Sequence, residues 1–227
     1  MKYLITSLIT LLSLAAHCQQ MSYEEWKTEA KSNIRLLPEY GNIPKSAGQK
    51  QADEEFIIAS LIQDTTHRKA SETMVNHGFR YLMRGDVKTA MYRFNQAWLL
   101  DPKNENAYWG FGAIYFSFTD YKAAIKMYDK GLMLNPGSSK ILTDKATIYM
   151  AMLNEKFDTA TLNTAMDLFK KSYAIDPGNQ NTTYKLSTLY YSLGDCELAN
   201  KYYNECKKRG GQPIVEEYTK ALKEKCK

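Results

Sequence analysis

The chain has 227 residues, 44% of them hydrophobic and 12% aromatic, with a formal net charge of +5. That apolar content excludes a disordered polar chain and is enough for one packed domain or a small pair. The charge is spread out, and the only cluster, Lys207-Lys208-Arg209, suits a helix C-terminus; the concentrated basic stripe of a nucleic-acid binder is missing.

Lys2 followed by the apolar run Leu4–Ala16 reads as a secretory signal peptide over residues 1–18. The run is too short to span a bilayer comfortably. Cleavage after Cys18 would leave Gln19 as the new N-terminus. The expected destination is periplasmic or secreted, with outer-membrane association as a variant. The rival reading makes Cys18 a lipid anchor, but His17 stands where a bacterial lipobox carries a small residue, so cleavage is preferred. No later segment is apolar enough to form a membrane span.

Residues 19–70 form an N-terminal helical segment. Ser22-x-x-Glu25 is a capping box opening a helix to about Leu36. Pro38–Gln49 reads as a loop, and a second helix is predicted from about Gln51 to Gln63. The expected role of the whole segment is to cap the helical array that follows.

That array shows itself as a recurring motif. Gly78-x-x-Tyr81, Gly85-Asp86, Ala90, Phe94, Ala97 and Asp101-Pro102 return as Gly112-x-x-Tyr115, Asp120-Tyr121, Ala124, Tyr128, Gly131 and Asn135-Pro136. Pro102 and Pro136 are 34 residues apart, as are Ala90 and Ala124. Ala146-x-x-Tyr149, Ala165, Phe169, Ser172 and Asp176-Pro177 form a third copy, with extra residues around Leu153–Asn163. Leu186-Ser187-x-x-Tyr190, Gly194-Asp195, Ala199, Tyr203 and Cys206 form a fourth. Apolar residues at spacings of three and four, such as Met74, Val75, Phe79, Leu82 and Met83, predict helices. Gly78 and Gly112 sit mid-helix, where glycine costs roughly 1 kcal/mol relative to alanine. That cost, taken in register, predicts close helix approach, with Ala90 and Ala124 expected as the small partners. Pro213 starts a last helix, Ile214–Lys225, whose apolar edge suits a cap.

Residues 71–212 resemble the tetratricopeptide repeat (TPR). The resemblance implies an all-α, right-handed solenoid of about four helical hairpins, 71–104, 105–138, 139–179 and 180–212, with helical caps at 19–70 and 213–227. It also implies that the first helix of each hairpin lines a concave groove. By register the groove residues are Asn76 and Phe79, with Glu72 and Val75, in repeat one. Repeat two gives Asn106, Trp109 and Phe116, with Ala113. Repeat three gives Lys140, Thr143, Thr147 and Met150, with Asp144, and repeat four gives Asn181, Tyr184, Lys185, Thr188 and Tyr191. Trp109, Phe116, Tyr184 and Tyr191 are the expected aromatic anchors. TPR adaptors that grip a C-terminal carboxylate use an asparagine where this chain has Phe79, Ala113, Thr147 and Thr188, so that clamp is not expected.

Chemistry finds little support. There is no phosphate loop, nucleophile elbow or His-Glu-x-x-His, and no cysteine or histidine pairing at zinc spacing. No catalytic residue, metal or cofactor is expected, and the chain is not read as an enzyme. Cys196 and Cys226 each lie about fifteen residues from the Gly210-Gly211 turn, so antiparallel packing would bring them level. A disulfide and two separate thiols both fit that arrangement. The reading is a protein-interaction module that binds a protein or peptide segment in the groove, with no nucleic-acid partner. The alternatives are a structural subunit of a cell-envelope assembly, or a small-ligand binder or enzyme using the same groove.

Overall fold

The computed structural model describes residues 21–226, so the expected signal peptide and Cys18 lie outside the described residues. Among the described residues there are eleven α-helices and no strand. No helix among them is long and apolar enough to cross a membrane. Four antiparallel hairpins form the array: α3 (His67–Met83) with α4 (Val87–Leu100), α5 (Glu105–Ser117) with α6 (Tyr121–Leu134), α7 (Ser139–Glu155) with α8 (Thr159–Ile175), and α9 (Gln180–Leu193) with α10 (Cys196–Lys208). First helices also pack on one another, α3 on α5, α5 on α7 and α7 on α9.

Local chemistry sets the boundaries. Asp86, Asp120 and Asp195 accept hydrogen bonds from the backbone amides of Thr89, Ala123 and Leu198, capping three of the second helices. Gly85 and Gly194 turn the chain with φ of 78° and 80°; Thr119 takes φ of 58° at the equivalent turn of repeat two. The extra residues of repeat three lengthen both of its helices to 17 residues, against 13 and 14 in α5 and α6.

The mid-helix glycines serve aromatic rings, which corrects the expectation that Ala90 and Ala124 are their partners. A Cβ on Gly112 would lie 2.2 Å from the Tyr128 ring, and one on Gly78 would lie 2.4 Å from the Phe94 ring. A Cβ on Gly110 would lie 2.2 Å from the same Phe94 ring, so this one ring is seated between two glycines of successive first helices. Phe94, Tyr128, Ala90 and Ala124 are all fully buried.

The N-terminal segment divides in two, which corrects its reading as one cap. Helix α1 (Tyr23–Ala30) stops well short of Leu36, because Asn33 turns its side chain to accept from the Arg35 amide and starts a separate 3-10 turn. Trp26 and Leu36 are fully buried. Trp26 packs on Phe118, Asn33 donates to Tyr92 of α4, and Lys88 pairs with Glu29. This first part therefore covers the outer, second-helix side of repeats one and two. Helix α2 (Ala47–Asp64) alone closes the end, against α3 and α4. It has no buried residue, and Ile58 and Ile62 are 62% and 78% exposed. At the other end α11 (Glu216–Lys225) packs on the last hairpin through Tyr218 and Leu222.

Candidate functional site

The first helices carry the candidate face. Phe79 on α3 and Trp109 on α5 are in contact, with ring centroids 4.1 Å apart and planes tilted by 46°. Helix α7 extends the strip, for Asp144 accepts a 2.6 Å hydrogen bond from the indole Nε1–H of Trp109. Lys140 Nζ lies 5.2 Å from the centroid of the same indole, a cation–π arrangement. Lys185 on α9 is the next charge, close enough to stabilise the Asp144 carboxylate. Burial nonetheless pushes the Asp144 pKa up, against the opposing effects of Trp109 and Lys185. The strip thus runs aromatic, acidic, basic across four helices. Below it the Tyr128 hydroxyl is buried without a hydrogen-bond partner among the described residues.

Residues expected to line the groove fall into three groups. Asn76, Lys140 and Asn181 are exposed, while Phe79, Trp109, Phe116 and Lys185 are half-buried. Asn106, also half-buried, donates to Glu72 Oε1 at 2.9 Å, so it links two repeats. Thr147 and Thr188 turn their hydroxyls onto the carbonyls of Thr143 and Lys185 in their own helices. Met150 packs against the core of the last two hairpins.

Thr143 is a correction: it is buried, not in the groove. Its hydroxyl meets Ser172 at 2.8 Å and Thr182 at 2.6 Å. Thr143, Val75 and Trp109 share one register position, which faces the neighbouring first helix. Small side chains disappear there, whereas the indole reaches past the contact.

Tyr184 and Tyr191 are not open anchors, because α11 takes them both. The Tyr218 ring lies edge-on to each, at centroid distances of 5.5 and 5.6 Å. Lys225 Nζ donates to the Tyr191 carbonyl at 3.0 Å and lies 4.5 Å from its ring. The structure joins Cys196 to Cys226 in a disulfide with a Cα–Cα distance of 5.1 Å, which fastens the far end of α11 to the start of α10. Cys206 is buried. No group of three His, Cys, Asp or Glu side chains among the described residues is placed to hold a metal.

Sequence reasoning placed Asp144 on this face but missed its bond to Trp109. The signal was present: Asp144 lies 35 residues after Trp109, one repeat and one residue onward.

Hairpin order, register and all-helical content define a TPR-like solenoid. No protein-family profile matches the chain. It is 26% identical over 162 residues, 68% of its length, to anaphase-promoting complex subunit 3 of Schizosaccharomyces pombe. It is 23% identical over 146 residues, 64% of its length, to tetratricopeptide repeat protein 16 of Mus musculus. These matches span only 23% and 18% of the two relatives. Among solved structures, the fold matches a thermophilic TPR protein of Thermus thermophilus with a TM-score of 0.57 and 15% identity, over 68% of this chain and 80% of that one. It also matches a chain of the Cut9–Hcn1 hetero-tetramer of the APC/C with a TM-score of 0.52 and 17% identity, over 76% of this chain and 30% of that one.

Proposed function

We propose that this chain is a protein-interaction module that holds a partner segment against the first-helix face of repeats one to four. The observation that carries the proposal is the Phe79–Trp109 ring contact. Two large, half-buried aromatics lie side by side on the first helices, and Asp144 fixes one of them in place. A pinned, half-buried indole loses little freedom on binding, which is what makes tryptophan an interface anchor. An apolar side chain of the partner seats on these rings, and its charged neighbours meet Lys140, Lys185 and Asp144. We further propose export, supported by the leader pattern of residues 1–18 and by the Cys196–Cys226 bond, which suits an oxidising compartment.

The test places a photo-crosslinking residue at Asn76, on the first-helix face, or at Lys122, on the outer side of α6. Both positions are exposed. Partners trapped from Asn76 and lost on Trp109→Ala, with an unchanged melting curve, support the proposal. Partners trapped only from Lys122 sink it. They would instead support the assembly-subunit reading, which one observation favours: Met133 of α6 is 75% exposed beside Ile125 on the outer face.

A further inference from the structure

A second site lies on the outer face, away from the aromatic strip. Glu39, Tyr40, Gly41 and Asn42 form a turn in the left-handed region, with φ of 56°, 53°, 67° and 54°. Three of them are not glycine, and the left-handed region is unfavourable for residues that carry a Cβ. Distant contacts hold the turn. Buried Asn95 donates to the carbonyls of Arg35 and Leu37, both at 2.9 Å, and accepts from the Tyr40 amide at 3.3 Å. Glu39 is buried and accepts from Tyr108 Oη at 2.6 Å and from Lys130 Nζ at 2.5 Å. Strain held this firmly is characteristic of functional sites, and what it positions is the Tyr40 ring.

That ring forms one wall of a cleft of about 240 Å³ between the turn, α2 and α4. Lys45 Nζ sits 3.3 Å from its centroid and is neutralised by Asp53 at 2.5 Å. Across the cleft the Arg35 guanidinium lies 3.9 Å from the Tyr92 ring. No acidic side chain among the described residues pairs with Arg35. The cleft therefore carries one uncompensated positive charge, with Tyr40, Tyr92 and Phe56 as apolar walls and Gln49 as a polar one.

We propose that this cleft binds a small carboxylate with a flat apolar body. Arg35 takes the carboxylate through its planar fork of donors, and the rings enclose the body. One free cation suits a monoanion better than a phosphate dianion. At ~30 Å³ per water the volume displaces about eight waters, which matches a ligand the size of benzoate. The same chemistry is offered by a free aromatic acid and by a polypeptide ending in an aromatic residue.

Ligand-observed NMR titrations on the purified protein test this, with benzoate against benzamide and N-acetylphenylalanine against its amide. Both carboxylates are expected to bind at millimolar concentration, with each amide and the Arg35→Gln variant weaker by about tenfold, equivalent to ~1.4 kcal/mol. Stronger binding of N-acetylphenylalanine than of benzoate points to a chain end, and the reverse to a free acid. Asp53→Asn releases Lys45 and is expected to tighten carboxylate binding severalfold. The proposal is overturned if neither carboxylate binds, if amides bind as well as acids, or if both variants leave carboxylate binding unchanged.

Discussion

Gly112→Ala tests the packing logic of the hairpins directly. A methyl group at this position would sit 2.2 Å from Tyr128 Cε1 and 2.4 Å from Cδ1. Ordinary carbon contacts are ~3.5–4.0 Å, so the ring would have to retreat by more than an ångström. It has nowhere to go, since Tyr128 is fully buried. Overpacking of this kind costs about 1–3 kcal/mol. Replacing a mid-helix glycine returns up to ~1 kcal/mol of helix propensity, so a net loss of about 1–2 kcal/mol is expected. For a chain this size that lowers Tm by roughly 2–4 °C per kcal/mol. Urea unfolding at unchanged m is the assay, and Gly48→Ala is the control, because a Cβ there meets nothing within 4 Å. Adding Tyr128→Leu should recover part of the Gly112→Ala loss, as neighbouring sites are coupled. A Gly112→Ala midpoint equal to or above wild type would refute the notch.

Tyr128→Phe removes a buried hydroxyl with no partner among the described residues; stability should stay level or rise by up to ~1 kcal/mol, and a fall would reveal a hydrogen bond. Thr119 is a β-branched residue at positive φ where repeats one and four use glycine, so Thr119→Gly should raise the thermal midpoint, by ~1 kcal/mol in stability. Reducing the Cys196–Cys226 bond, which closes a separation of 30 residues, should cost about 2–4 kcal/mol; an unchanged urea midpoint in reductant would rule out a stabilising link. Burial raises the carboxyl pKa of Glu39 and of Glu105, but hydrogen bonds from Lys130 and Tyr108, and from Arg68 and Asn135, outweigh it and hold both below the ordinary 4.5. Their contribution is present above that pH and lost as pH falls through the lowered values. Glu39→Gln should therefore flatten the acid limb of a stability–pH curve, and an identical limb would refute this.

The helical array was legible because each repeat needs the same residues at the same places. Aspartates cap the second helices, prolines follow the stops, and small residues recur where helices approach. The ring partners of the glycines were harder to read, although both pairs are 16 residues apart, Gly78 with Phe94 and Gly112 with Tyr128. That spacing crosses a hairpin turn, and periodicity within one helix does not show it. Thr143 was misplaced because register gives a direction from the helix axis but not how far the neighbouring helix extends. Pro38–Asn42 read as a loop since nothing local favours three left-handed non-glycine residues. Contacts 55 to 91 residues away, to Asn95 and Lys130, impose that shape.

Both ends of the chain narrow where a partner can lie. The N-terminal segment places Tyr23 and Trp26 on the outer side of repeats one and two, so half-buried Phe79 and Trp109 on the inner side are not covered by them. The C-terminal helix does the reverse and claims Tyr184 and Tyr191 on the inner side of repeat four. What remains is the strip from Phe79 through Trp109 and Asp144 to Lys185. Neighbouring helices pack ~8–10 Å apart, so four first helices give a strip of about 25–30 Å. An extended chain advances ~3.3 Å per residue, so a segment of about eight or nine residues fills it. The composition of the strip then sets the order of that segment: an apolar residue over the rings, and charges of opposite sign beyond it. A folded domain with a flat surface would touch only the rim and leave the rings wet. The geometry therefore favours an extended, short, charged-and-apolar segment over a globular surface as the proposed partner.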